Sequence, residues 1–403
     1  MTYNKEHREF ILRCISQKTR LYYLSEHIRM NTLYWMLNSL KILDEVVLIE
    51  ELSEGVRKFV CRCQNKDGGF GGNRGYPTTA ITTLSAIQIL YLLKGNRETY
   101  TKYYQKEDAP SPESPKDKRA GEFTIHDHLK EILEEPLHSG INLDESSSGS
   151  GSGSDTDTGT GTDTDTGTGT DTDKSTDQAS PKKEKELAPN FVLCNAFLET
   201  IIVDGKLQGY AYKELDIRTI CCYVASKTLL SMLAGSNEQD IFVIVPPVKA
   251  ILLAYIGSCL NVDGGFGVEP ECESHSAHVF CAVSALFLLG EMAFLDPEKS
   301  GSFLAWQQKP TGGLSGRIDR EEDICHSFWG YSSLMMLEKE HYIDKEKLKA
   351  YIVSCESKNG GFSDRPDQPP NLLHTFLSLI ALKMIEEKAI IISFPPLALC
   401  LCD

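Results

Sequence analysis

No apolar run in this 403-residue chain is long enough to cross a membrane. The C-terminal stretch from Ile390 to Leu401 is too short and carries Pro395 and Pro396. The opening residues, Met-Thr-Tyr-Asn-Lys-Glu, lack the apolar core of a secretory signal. Neither a membrane span nor secretion is expected, and the expected compartment is the cytoplasm. Basic charge is also in deficit, with 41 Lys+Arg against 57 Asp+Glu, so nucleic-acid binding is not expected. The imbalance is local: residues 107–188 hold 20 acidic and 8 basic residues, and the remainder is close to neutral.

Cysteine is plentiful, at 13, but without a secretion signal the thiols should be reduced. Most, such as Cys221, Cys222 and Cys281, read as small buried apolar residues. Cys61 and Cys63 have no histidine or second cysteine pair beside them, which argues against a metal there. The ending Cys400-Leu-Cys402-Asp403 departs from the prenylation patterns, so no lipid attachment is expected.

What the chain does have is a period. Glycine pairs followed by Phe or Leu stand at Gly68, Gly264, Gly312 and Gly360, the last three spaced by 48 residues. Such a period means stacked supersecondary units. Each pair follows an amphipathic segment (Val56–Gln64, Ile251–Cys259, Leu348–Cys355) and precedes a uniformly apolar one (Ala80–Leu93, Ala277–Leu289, Cys325–Leu337, His374–Ile385). Amphipathic helices belong outside and apolar ones inside. The unit therefore reads as outer helix, glycine turn, inner helix, and the fold as all-α, an array able to curl or close into a barrel. With Asp216 set at the start of an inner helix, a degenerate turn falls at Gly205-Lys206. Residues 1–97 then hold the first hairpins and 188–386 the others. The intervening 98–187, with its Ser/Gly and Asp-Thr/Gly-Thr tracts, cannot offset its ordering entropy and is expected to be disordered. A smaller surplus falls near Ser236–Pro247, and 387–403 form a tail.

The chemistry-bearing residues fall at the mouths of the inner helices. Asp323, Cys325 and His374 offer carboxylate, thiolate and imidazole, and three protein ligands with one open position is the catalytic zinc arrangement. An isolated Asp-x-Cys means little, and a histidine among apolar residues is more often part of a core. Register favours the metal: Cys325 lies 13 residues after Gly312 and His374 lies 14 after Gly360. Arg317 and Arg320 follow the third glycine pair, and His275 opens the preceding inner helix. Turns and helix N-termini suit an anion. A solvated basic turn is the plainer reading, because Asp319, Glu321 and Glu322 are interleaved.

Several segments together resemble the β subunits of protein prenyltransferases: Asn65-Lys-Asp-Gly-Gly-Phe, Asn261-Val-Asp-Gly-Gly-Phe-Gly, Glu273-Ser-His, Gly312-Gly-Leu-Ser-Gly-Arg, Asp323-Ile-Cys-His-Ser-Phe-Trp and Gly360-Gly-Phe-Ser-Asp-Arg-Pro with His374-Thr-Phe. His27-Ile-Arg-Met-Asn-Thr-Leu-Tyr-Trp35, Leu84–Leu90 and Asp364-Arg-Pro366 are most similar to the Rab geranylgeranyltransferase (type II) group. The resemblance covers roughly residues 20–97 and 190–386. It implies an α–α barrel (toroid) and a heterodimer with a helical α subunit. It also implies transfer of a C20 group from geranylgeranyl diphosphate to C-terminal cysteines of Rab GTPases delivered by a Rab escort protein. By the same likeness Asp323, Cys325 and His374 hold Zn²⁺, and Asp364 matches a Mg²⁺-associated position. His275, Arg317, Arg320 and His326 match the diphosphate-binding positions, and Asn31, Trp35, Phe328 and Trp329 match the lipid pocket, with Asn31 leaving room for C20. Arg218 matches an arginine at the funnel mouth.

Three positions depart from the family pattern: Arg320 replaces a usual Lys, His326 a Tyr, and Asn371 an Asp. Other readings are a farnesyltransferase or type I β subunit, which Asn31 and Asp364 respectively disfavour, and a triterpene cyclase, whose Asp-rich motif is missing from the repeats. The non-enzymatic reading is a barrel that only binds partners.

Overall fold

The computed structural model describes residues 4–18, 20–103, 188–210, 215–234 and 239–386. Most of the expected disordered insertion, and the whole 387–403 tail, lie outside them. Outer and inner helices alternate. α1 (Asn4–Ser16) and short α2 (Arg20–Leu24) precede α3 (Arg29–Ile42), and α4 (Val46–Arg62) precedes α5 (Ala80–Tyr103). α6 (Phe191–Glu199) precedes α7 (Ile217–Leu233), and α8 (Pro246–Ser258) precedes α9 (Ser276–Leu289). α10 (Pro297–Ala305) precedes α11 (Ile324–Met336), and α12 (Lys345–Ser354) precedes α13 (Leu372–Glu386).

The inner helices α3, α5, α7, α9, α11 and α13 each pack on the next, and α13 packs back on α3. This closes the ring that the period left open. Burial follows the expected division. In α7 the residues from Thr219 through Lys227 are buried without a break, whereas α12 buries only Leu348, Tyr351 and Ile352, one helical stripe. Strand is limited, among the described residues, to a two-residue pair, β1 (Ile202–Val203) and β2 (Lys206–Leu207). It marks the degenerate turn, with Asp204 and Gly205 both at positive φ.

The glycine turns carry the architecture. Asp263 Oδ1 accepts from the Gly265 N–H at 2.9 Å and the Ser274 hydroxyl at 2.8 Å, and Asp67 holds Gly69 and Thr78 the same way. The first glycine of each pair has φ between 81° and 101°. A Cβ on Gly312 would meet the Lys347 carbonyl oxygen of the next outer helix at 2.2 Å, and one on Gly264 would meet that of Lys299 at 2.7 Å. Only glycine satisfies both the left-handed backbone and the close approach. Gly205 has open space beyond its Cα, so this turn lacks the close approach seen at the other glycine pairs.

The fourth turn finds its outer helix in α1. A Cβ on Gly360 would lie 2.1 Å from the Glu6 carbonyl oxygen. The Gly361 N–H donates to Nδ1 of buried His7 at 3.0 Å, and the His7 ring stacks on Phe362 at 5.0 Å. The N-terminus thus supplies the last outer helix and completes the ring. The expected boundary at 97 shifts, because α5 continues to Tyr103.

Burial lowers the His7 pKa against an opposing pull from Glu6. Nδ1 must stay unprotonated to accept from Gly361, and Nε2 lies 3.3 Å from Glu356. A depressed folded-state pKa contributes stability that is present above the unfolded value of 6.5 and lost as pH falls below it. Thermal midpoints measured from pH 7.5 down to 5.5 should therefore fall further for the wild-type chain than for His7→Gln. Parallel curves would remove His7 from ring closure.

Candidate active site

Four successive inner helices begin at one rim, each with a side-chain cap. Asp216 Oδ1 accepts from the Thr219 N–H at 2.9 Å, and His275 Nδ1 accepts from the Ala277 N–H at 3.2 Å. Asp323 Oδ1 accepts from the His326 N–H at 2.8 Å, and Asn371 Oδ1 from the His374 N–H at 3.0 Å. Each cap satisfies a helix-end donor that would otherwise be unpaired. His275, Asp323 and Asn371 repeat the 48-residue spacing. The residues two and three places after the caps therefore project from equivalent points of neighbouring helices. Among them are Arg218, Cys325, His278, His326 and His374.

His326 and His374 are thus repeat-equivalent, yet their caps hold them differently. Nδ1 of His326 lies 2.7 Å from Asp323 Oδ2, an ionised acceptor, so this nitrogen carries the hydrogen and the neutral ring keeps a lone pair at Nε2. Nδ1 of His374 lies 2.7 Å from Asn371 Nδ2, which can only donate, so Nδ1 accepts and the neutral ring carries its hydrogen on Nε2. Burial works to raise the Asp323 pKa, but the hydrogen bonds from His326 outweigh it and hold the carboxyl below the usual range.

Cys325 lies beside two carboxylates. Burial first, then the negative charges of Asp323 and Asp364, push its thiol far above the ordinary range. Burial lowers His374 against an opposing pull from the same two carboxylates. Asp364 Oδ1 is buried without a hydrogen-bond partner, while its backbone carbonyl accepts from the Ile324 N–H at 3.0 Å. Asp323, Cys325, Asp364 and His374 therefore share one neighbourhood with excess negative charge and an unmet acceptor, which suits a cation. Among the described residues, however, no three His, Cys, Asp or Glu side chains are gathered closely enough to hold a metal. Both Asp323 oxygens are engaged by His326.

The basic residues lie next along the rim. The imidazoles of His278, His275 and His326 form a chain in that order with centroids 4.9 Å apart at each step, and Trp329 follows His326 at 5.4 Å. Burial lowers both His275 and His278 to about 4, helped by His326 and His278 for the first and by Arg218 for the second. Both are neutral at pH 7. Arg317 is drawn to Glu273 at 2.7 Å, Arg218 is paired with Asp216, and Arg320 is exposed.

The apolar candidates divide between two places. Trp35 and His374 line one cavity of about 630 Å³, together with Phe10 and Cys14 of α1 and Arg29, Thr32 and Leu373. Phe328 is buried 5.8 Å from Phe280, and Asn31 donates to Ser85 at 3.0 Å between α3 and α5. None of Asn31, Phe328 and Trp329 lines that cavity. Reading from the glycine pairs missed His278, whose buried Nδ1 has no partner. Reading from the helix caps finds it at the same place as His326 and His374.

The model of the prenyltransferase alpha-alpha toroid domain matches residues 3–125 and 191–400. The chain belongs to this family. Among toroid relatives it is 27% identical over 325 residues to the geranylgeranyl transferase type-2 subunit beta of Candida albicans, covering 79% of this chain and 69% of that one. It is 26% identical over 307 residues to the same subunit of Saccharomyces cerevisiae, covering 75% of this chain and 64% of that one. A solved toroid, Candida albicans protein geranylgeranyltransferase-I complexed with GGPP, superposes with a TM-score of 0.60 at 16% identity, covering 99% of this chain and 95% of that one. Both sequence relatives are β subunits of protein prenyltransferases. In keeping with the sequence, no described helix is long and apolar enough to cross a membrane.

Removing the Asn371 cap should cost this toroid about 1 kcal/mol, as cap losses usually do. Urea unfolding of Asn371→Ala against wild type measures it, and an unchanged midpoint would mean that solvent already satisfies the start of α13.

Proposed function

We propose that the chain is the catalytic β subunit of a type II protein geranylgeranyltransferase. It would join a C20 isoprenoid from geranylgeranyl diphosphate to C-terminal cysteines of Rab GTPases presented by a Rab escort protein. The observation that carries this reading is the single rim where Cys325, His374, Asp323 and Asp364 adjoin His275, His326 and Arg317. Similarity to type-2 β subunits over three quarters of the chain supports the subtype. So do Asn31, small enough for a longer lipid, and Asp364.

The donor set and the unpaired Asp364 oxygen suit cations. Asp323, Cys325 and His374 would hold Zn²⁺, and Asp364 would hold Mg²⁺. The chemistry such a metal supplies is to keep an acceptor thiol deprotonated at neutral pH. In the transfer itself, a bond forms between the acceptor sulfur and C1 of the lipid. The C1–oxygen bond breaks, and diphosphate leaves with the electron pair. His275 is oriented for the leaving group: its Nδ1 accepts from Ala277, so neutral His275 presents Nε2–H as a donor. Arg317 and Arg320 add positive charge on the same rim. His326 spends its Nδ1–H on Asp323 and so serves the diphosphate less directly than a tyrosine hydroxyl would. Trp35, Phe328 and Trp329 exclude water from the lipid. An α subunit completes the enzyme, and the cytoplasm is its proposed location.

A second reading, a toroid that binds partners without catalysis, is favoured by two observations. Asp323 is fully engaged by His326, and His374 carries its hydrogen on Nε2.

Co-expression with the cognate α subunit tests the proposal. Transfer of labelled C20 in preference to C15 to a Rab, dependent on escort protein and abolished in Cys325→Ala, is the expected result. Escort-independent transfer to a C-a-a-X peptide would move the chain to a sister enzyme, and no transfer with both partners bound would favour the scaffold. Metal affinity gives a separate test. Asn371→Asp should turn His374 Nδ1 into a donor and free Nε2, raising zinc affinity by about tenfold or more in chelator competition. Unchanged affinity would remove His374 from the ligand set.

A further inference from the structure

The Nε2 atoms of His275 and His326 converge on the backbone of Gly316. A Cβ there would lie 2.5 Å from the first and 2.7 Å from the second, both too close for any real contact. The loop cannot withdraw. Ser276 N–H donates to the Gly316 carbonyl at 3.0 Å, the Ser276 hydroxyl donates to the Ser315 carbonyl at 2.8 Å, and both serines are fully buried. A side chain at 316 must therefore displace both imidazoles, the His275 ring by more.

The two rings are not held equally. His326 is bound to the ionised carboxylate of Asp323 at 2.7 Å, whereas His275 rests on a neutral backbone donor at 3.2 Å. Charge-assisted bonds are about twice as strong as neutral ones, so His275 yields first. Losing the Ala277 contact frees its Nδ1 and removes what fixes the hydrogen at Nε2.

We infer that Gly316 is a positioning residue for the diphosphate: its missing side chain lets the His275 ring sit down on the loop with Nε2–H directed to the anion. This rests on the prenyl-transfer reading for its ligand, but the ring placement does not.

The test uses the full chain co-expressed with its α subunit and a fluorescent prenyl diphosphate analogue. Gly316→Ala and His275→Ala should each weaken binding roughly tenfold or more, the loss of one hydrogen bond to a charged group. The double variant should bind no more weakly than His275→Ala alone. Equal weakening by Gly316→Ala in both backgrounds, or no weakening in either, overturns the inference. Nitrogen-15 NMR of the histidine rings without lipid gives a readout independent of transfer. Gly316→Ala should shift the His275 ring nitrogens more than those of His326, and the reverse pattern also overturns the inference. If Gly316→Ala does not fold, removing both rings with His275→Ala and His326→Ala should restore folding by clearing the clash, and failure to restore it counts against the rings as the obstacle. Wild-type protein that binds no prenyl diphosphate but gives the expected ring shifts would defeat the transfer reading and leave the placement standing.

Discussion

The structure depends on the approach of a glycine Cα to the backbone of the next outer helix. At Gly264, Gly312 and Gly360 the chain is left-handed and lies where a Cβ would overlap the following helix. That contact sets how far each hairpin is rotated from the last. Repeated at equal sequence intervals, it places successive inner helices at equal heights and makes the ring close. Closure comes when the Gly360 turn meets α1, across 354 positions between Gly361 and His7. Since α1 also walls the cavity that holds His374, ring closure and the site are one problem in packing.

Equal heights bring the helix starts to one rim, and there the fold's need for caps becomes chemistry. A cap must offer an acceptor to an N–H two or three residues on. Asp216, His275, Asp323 and Asn371 do so with carboxylate, imidazole, carboxylate and amide. The second polar atom of Asp323 and of Asn371 then decides which ring nitrogen of the following histidine carries hydrogen. Asp323 is pulled between two roles, since the oxygens that cap α11 and orient His326 are those a metal would take.

Much of this architecture was legible as pattern. Uniformly apolar stretches after glycine pairs mark the starts of the inner helices to within two residues, although α5 runs ten residues past its apolar stretch, and Asp216 caps the start of α7 as expected. The role of α1 was not legible, because its part in closure is played by the Glu6 carbonyl, and backbone groups leave no side-chain signature. Spacing set Asp323, Cys325 and His374 at the starts of two successive inner helices. It could not reveal that Arg317 is held by Glu273, or that His275 and His326 meet over Gly316, since those contacts join different turns of the ring. Nor could it reveal tautomers, which depend on whether a cap presents oxygen or nitrogen.

That last distinction decides how the departure at Asn371 should be weighed. Presenting a lone pair from His374 Nε2 requires Nδ1 to become a donor, so Asn371 would have to turn its amide. The amide nitrogen would then face the His374 N–H that Oδ1 now satisfies, leaving a helix-end donor unpaired. An unsatisfied donor costs about 1–3 kcal/mol when buried, and less at this exposed cap. Apparent binding energies of protein zinc sites reach roughly 10–16 kcal/mol, several times larger. An Asn at this position therefore weakens such a site without forbidding it. The same reasoning applies to Asp323, whose bond to the His326 ring is worth only a few kcal/mol at most. The polar network of the rim is a competitor that a bound cation can displace, and the buried, unpaired Asp364 oxygen is the feature that the network alone leaves unexplained.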